Sequence, residues 1–154
     1  MQGRPSEAWC RRILRELRWG DQVFCLRCRE TARRHRRQRQ AWYYRCVRCR
    51  RVFSDLTGTP FEKTKIPLSA WFLAVILVRS EEAPTSFELA QIMQVDLRTA
   101  SRMKECLRAL KEDPLIRSIE TRMSLWKIYN ARRDEPLFVK GKRHDDPPPP
   151  LSAE

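Results

Sequence analysis

No apolar stretch in this 154-residue chain is long enough to cross a bilayer. The longest, Ala70 to Val78, has nine residues, against the roughly 20 of a spanning helix. It predicts a buried core helix and no membrane partner. The start does not read as a secretory signal either. Met1-Gln2-Gly3-Arg4-Pro5 runs into an Arg-rich segment without an apolar core, and Glu7 and Glu16 argue against a cleaved transit peptide. Without export, the six cysteines are not expected to form a disulfide framework. Negative charge is also scarce. The chain has 19 Asp+Glu against 32 Lys+Arg, a formal net charge of +13. The imbalance is concentrated before residue 58, where 16 basic side chains meet 5 acidic ones. Such a field calls for a polyanion: nucleic acid first, an anionic membrane surface second.

What is there is dominated by Cys25-Leu26-Arg27-Cys28 and Cys46-Val47-Arg48-Cys49. Two intervening residues let a tight turn aim both thiolates at one ion, and the second pair completes a tetrahedron, so one structural Zn²⁺ on Cys25, Cys28, Cys46 and Cys49 is predicted. Residues 21–57 are too few to enclose a useful core, and zinc is expected to supply folding free energy on the order of 10 kcal/mol. Val23-Phe24, Trp42-Tyr43-Tyr44 and Val52-Phe53 predict short strands flanking two knuckles, the pattern of a zinc ribbon. Between the knuckles, Arg33, Arg34, His35, Arg36, Arg37 and Arg39 form a run that no strand or helix would hide. It is either a solvated hairpin tip or a phosphate-contacting arm. Arg45, Arg48, Arg50 and Arg51 extend the same field and favour the arm. His35 is not needed as a ligand beside four thiols.

Elsewhere the periodicity is helical. Ser6 is placed to cap a helix carrying Trp9, Ile13 and Leu17 on one stripe, with Cys10 a small buried hydrophobe and Arg11, Arg12, Arg15 and Arg18 off that stripe. Pro67 opens the apolar helix through Val78, and Arg79 to Pro84 form a loop. Thr85 and Glu88 make a capping box for a short helix with Phe87, Leu89, Ala90, Ile92 and Met93. After a turn at Gln94-Val95, Asp96 caps a longer helix to about Glu112, with Ala100, Met103, Leu107 and Leu110 facing inward. Short helix, turn and longer helix predict a helix-turn-helix unit. Arg98 and Arg102 would reach guanine edges or phosphates, and Thr99 and Ser101 bases or backbone oxygens. The alternative is an ordinary trihelical core with a solvated basic face. Leu115, Ile116, Ile119, Met123, Trp126 and Ile128 predict one more helix. The end of the chain, with Asp145, Asp146 and Pro147 to Pro150, reads as a disordered tail.

Together these residues resemble a known family. Leu17-Arg18-Trp19, the two cysteine pairs, Phe53-Ser54, Thr57-Gly58-Thr59-Pro60-Phe61, Lys63-Thr64-Lys65-Ile66-Pro67-Leu68, Trp71-Phe72, Leu89-Ala90, Val95, Thr99-Ala100 and Met103 are similar to the N-terminal region of bacterial DDE-type, ISXO-like insertion-sequence transposases. The similarity runs from about residue 8 to 112. It departs at Leu26, where the family has proline, and at Arg29 and Arg50, where it has glycine. The resemblance implies recognition of transposon-end DNA by ribbon and helix-turn-helix, followed by a catalytic domain with three metal-binding carboxylates. No such domain is expected in the residues after Glu112.

The expected fold is small α+β: a rubredoxin-like zinc ribbon followed by a mainly α-helical helix-turn-helix domain. Its expected parts are an amphipathic helix (1–20), ribbon (21–57), linker (58–66), helix-turn-helix (67–112), further helix (113–132) and Pro-rich tail (133–154). The expected function is zinc-dependent, non-catalytic binding of double-stranded DNA in the bacterial cytoplasm, at the nucleoid. The alternatives are the DNA-binding part of a split transposase, partnered by a separately encoded catalytic subunit, and an RNA- or RNA-polymerase-binding ribbon. A homodimer is compatible with all three.

Overall fold

The computed structural model describes residues 4–38 and 41–133. Arg39 and the Pro-rich tail from residue 134, with Asp145 and Asp146, lie outside them.

Helix α1 (Glu7–Trp19) starts where Ser6 Oγ accepts the Trp9 N–H at 3.2 Å and stops at Gly20, whose φ of 56° few other residues adopt. Cys10, Ile13 and Leu14 are buried, and burial pushes the Cys10 thiol well above its usual range. Three antiparallel strands follow in the order β1 (Ala32–Gln38), β2 (Ala41–Cys46), β3 (Val52–Ser54). Here the secondary structure departs from expectation: Arg33, Arg34, Arg36 and Arg37 lie on an edge strand rather than in a bare tip. An edge strand need bury neither face, and the aromatic residues of β2 give the arginine stems something to lie on. The Arg34 guanidinium sits 5.0 Å from the Trp42 ring, Arg37 5.8 Å from the same ring and Arg36 5.1 Å from Tyr43. Conversely, Val23-Phe24 forms no strand. Phe24 makes an isolated bridge to Thr31, because the chain turns at once into the first cysteine pair.

The remaining helices are α2 (Leu68–Val78), α3 (Ser86–Met93), α4 (Leu97–Ala109) and α5 (Pro114–Arg133). Helix α2 is apolar around most of its circumference and packs against α1, α3, α4 and α5. Phe61, between the sheet and α2, is fully buried against Trp71 and Phe72. Both bonds of the Thr85–Glu88 capping box form. Gln94 turns the chain at φ 56°, and Asp96 caps α4 by accepting the Thr99 N–H at 2.8 Å. Ala100, Met103 and Leu107 face inward, and α4 ends at Ala109, short of Glu112. Asp113 Oδ1 accepts the N–H groups of Leu115 and Ile116, starting α5, whose Ile116, Ile119 and Met123 are fully buried.

Among the described residues there are two cores. The larger is built from α1, Phe61 and the four later helices, and none of its buried residues comes from the sheet. The smaller holds Cys25, Tyr44, Cys46 and Phe53, with Trp19 packed on it. Helix α1 serves both: its buried stripe lies in the first and its last residue in the second.

Candidate metal centre

The two cysteine pairs are built alike. In each, the N–H of the first cysteine donates to the carbonyl five residues on, Cys25 to Glu30 at 2.8 Å and Cys46 to Arg51 at 3.0 Å. In each, a backbone N–H points at the first sulfur: Arg27 at Cys25 Sγ and Cys49 at Cys46 Sγ, both at 3.4 Å. The residue after each pair, Arg29 or Arg50, has φ 60°. That is the left-handed region where glycine rests without strain and an L side chain costs roughly 1–2 kcal/mol.

These twin turns bring Cys25, Cys28, Cys46 and Cys49 together, with all four sulfurs within 4.8 Å of one another. The cross-pair distances Cys25–Cys49 and Cys28–Cys46 are 3.5 Å. A tetrahedral ion with bonds of about 2.3 Å sets its thiolates about 3.8 Å apart, so the cluster can hold a metal ion with little adjustment. The electrostatics agree. Backbone N–H groups of Cys28 and Arg27 hold the Cys25 thiol down to about 6. At Cys49 the Arg51 N–H also lowers, but burial and the neighbouring sulfurs prevail and push it up to about 11. Four thiols at this spacing do not all ionise beside one another unless a cation neutralises them.

The centre is tied to α1 through Asp55, only 5% exposed. Its Oδ1 accepts from the Tyr44 hydroxyl at 2.9 Å and Trp19 Nε1 at 3.0 Å, and its Oδ2 from Arg15 Nη2 at 3.1 Å. Arg18 donates to the carbonyls of Asp55 and Thr57. Thus Arg15 and Arg18, off the apolar stripe, do not end in solvent but hold the sheet. Sequence reasoning missed Asp55. The available signal was an acid among five in a strongly basic segment, directly after a predicted strand.

Around the metal cluster, Arg33, Arg34, Arg36, Arg37, Arg45 and Arg48 are all exposed. Arg33, Arg34, His35, Arg45 and Arg50 line a shallow basic depression of about 370 Å³ beside the second pair. Arg98 and Arg102 are exposed and Ser101 half-buried on α4, which packs on α3 and α2. The Thr99 hydroxyl donates to Asp96 Oδ2 at 2.7 Å as part of the cap. The structure therefore gathers the hairpin arginines in one place and the α4 residues in another.

Over the described residues, fold and site define a class: a small α+β protein with a three-stranded antiparallel sheet, five helices and a four-cysteine cluster able to hold a metal ion. Among the described residues no helix is long and apolar enough to cross a membrane. No family model and no solved structure matches the chain. Over 71 residues it is 41% identical to an uncharacterized protein in transposable element ISH50 of Halobacterium salinarum. That segment is 46% of this chain and 24% of the relative, so the chain spans about a quarter of the relative's length.

Proposed function

We propose that this chain is a zinc-dependent, non-catalytic double-stranded-DNA-binding protein derived or truncated from an insertion-sequence transposase. The sheet with its four cysteines acts as a zinc ribbon and α3 with α4 as a helix-turn-helix unit. The observation that carries the reading is the four sulfurs within 4.8 Å at the base of a hairpin whose described arginines are exposed. Four thiolates at tetrahedral spacing favour Zn²⁺ over hard, oxygen-seeking cations. The metal holds the sheet, and the sheet holds cations against phosphates; Arg98 and Arg102 supply base-edge contacts at transposon ends or an operator. Similarity to a transposable-element protein supports the DNA partner. In the test, purified protein is assayed for zinc and for duplex binding by fluorescence anisotropy across a salt series. One zinc per chain is expected, with affinity falling steeply with salt and abolished by a strong chelator. Protein that holds no zinc and ignores duplex DNA at low salt refutes the reading.

One observation favours a second reading. The matched segment is only 24% of the relative, so this module can serve as the DNA-binding part of a transposase whose catalytic domain lies elsewhere. A neighbouring reading frame with the three metal-binding carboxylates, whose product co-purifies with this chain, decides for it.

A further inference from the structure

The hairpin is charged on both faces, and the register shows how. Arg33 lies opposite Arg45 and Arg34 opposite Tyr44; after a bulge at His35, Arg36 lies opposite Tyr43 and Arg37 opposite Trp42. Residues directly opposite share a face, and residues two apart on β2 share a face. One face therefore carries Arg34 and Arg37 about Trp42, and the other Arg33, Arg36 and Arg45 about Tyr43. Each face has a guanidinium stacked on a ring, which restrains the long side chains before any ligand arrives and lowers the entropy lost on contact.

The outer part of the hairpin also runs past the third strand. Strand β3 pairs with β2 only from Tyr43 to Arg45, so the Trp42–Arg37 and Ala41–Gln38 rungs are a two-stranded ribbon. Trp19 stacks on Tyr44 and Phe53, at the inner end. Every residue from Arg33 to Gln38 is exposed. Cations on one face suit a flat anionic surface, whereas cations on opposed faces of a thin blade suit a ligand with anions on both sides. The major groove of duplex DNA is such a ligand, about 12 Å wide and 8.5 Å deep, and it admits a two-stranded ribbon; the minor groove, about 6 Å wide, takes one only when the duplex is deformed. The two described rungs beyond the third strand, Arg37 and Gln38, extend about 7 Å, enough to reach into it.

We propose that the β1–β2 hairpin enters the major groove, with Arg34 and Arg37 against one flanking sugar-phosphate backbone and Arg33 and Arg36 against the other. This rests on the duplex-DNA reading above and deepens it. The test uses the zinc-loaded full chain and a mixed-sequence DNA duplex. Two variants, Arg34→Gln/Arg37→Gln and Arg33→Gln/Arg36→Gln, are each expected to reduce the slope of log affinity against log salt by about 1.8, two phosphates at about 0.9 each. The corresponding Lys pairs should keep the slope, which separates lost charge from lost folding. Methylating guanine N7 in the duplex should weaken binding, and a minor-groove-occupying drug should not. A slope unchanged by either Gln pair refutes two-sided insertion, as does indifference to N7 methylation or a preference for single strands or RNA. If the unmodified chain shows no salt-dependent duplex binding, it is the underlying function that fails.

Discussion

Replacing Asp55 tests whether the sheet with its cysteine cluster and the helical body are held as one unit. The carboxylate is 5% exposed and is held by three partners through four hydrogen bonds, Tyr44 and Trp19 on Oδ1 and Arg15 Nε and Nη2 on Oδ2. With the Arg15 fork counted once, and about 1.5 kcal/mol per partner of a charged acceptor at the lower end, Asp55→Ala should cost about 4–5 kcal/mol. Removing one partner of a buried ion pair costs about 3–5 kcal/mol, in agreement. Asp55→Asn separates the contributions. Its amide oxygen can still serve Tyr44 and Trp19, while its NH₂ group faces the Arg15 guanidinium, so about 2 kcal/mol should be lost. In an Arg15→Met background the same Asn substitution should cost much less, and the difference is the coupling energy. The measurement is urea denaturation of the zinc-loaded protein followed by tryptophan fluorescence, with an unchanged m-value for each variant. In thermal melts the Ala variant should lose about 8–16 °C. A cost below about 1 kcal/mol for Asp55→Ala, or equal costs for Ala and Asn, would show that the hydrogen-bonded carboxylate does not join the two parts.

Other predictions address the centre itself. Cys25→Ser/Cys46→Ser should abolish zinc retention, measured by a colorimetric chelator, while far-UV circular dichroism keeps most of its helical signal, because the larger core takes no buried residue from the sheet. Arg29→Gly and Arg50→Gly, each relieving a φ of 60°, should raise stability by up to about 1 kcal/mol apiece in urea melts; destabilisation by both would contradict the strain assigned to these turns. Burial, then the charge of Asp55, raises the Tyr44 hydroxyl from 10 to about 12. The folded state thus prefers the neutral phenol, and this contribution is complete below pH 10 and lost as pH rises towards 12. Tyr44→Phe should therefore flatten the alkaline limb of the stability profile while losing about 1.5 kcal/mol at neutral pH through its hydrogen bond to the carboxylate.

Much was legible in the residues because it depends on near neighbours. The C-x-x-C spacing brought the two sulfurs of each pair together, the Thr85–Glu88 and Asp96–Thr99 caps span three residues each, and the inward stripe of α4 follows from helical periodicity. Each is a relation over a turn or two of chain, and the local backbone has few ways to satisfy it. The expectation that Val23-Phe24 forms a strand failed because β-propensity says nothing about whether a partner strand is present. That the arginine run forms a strand was not legible for the converse reason: it has no apolar alternation, and the rings it lies on, Trp42 and Tyr43, are found only across the register.

Sequence alone determined the two cysteine pairs, the helices and the concentration of positive charge. Tertiary structure alone decided that Arg15 and Trp19 would meet Asp55, 40 and 36 positions away, and that a bulge at His35 would divide the arginines between two faces. The physical reason is range. Caps and ligand turns are chosen by a few consecutive dihedral angles, whereas a buried ion pair or a strand register is chosen by which distant surfaces the folded chain brings into contact.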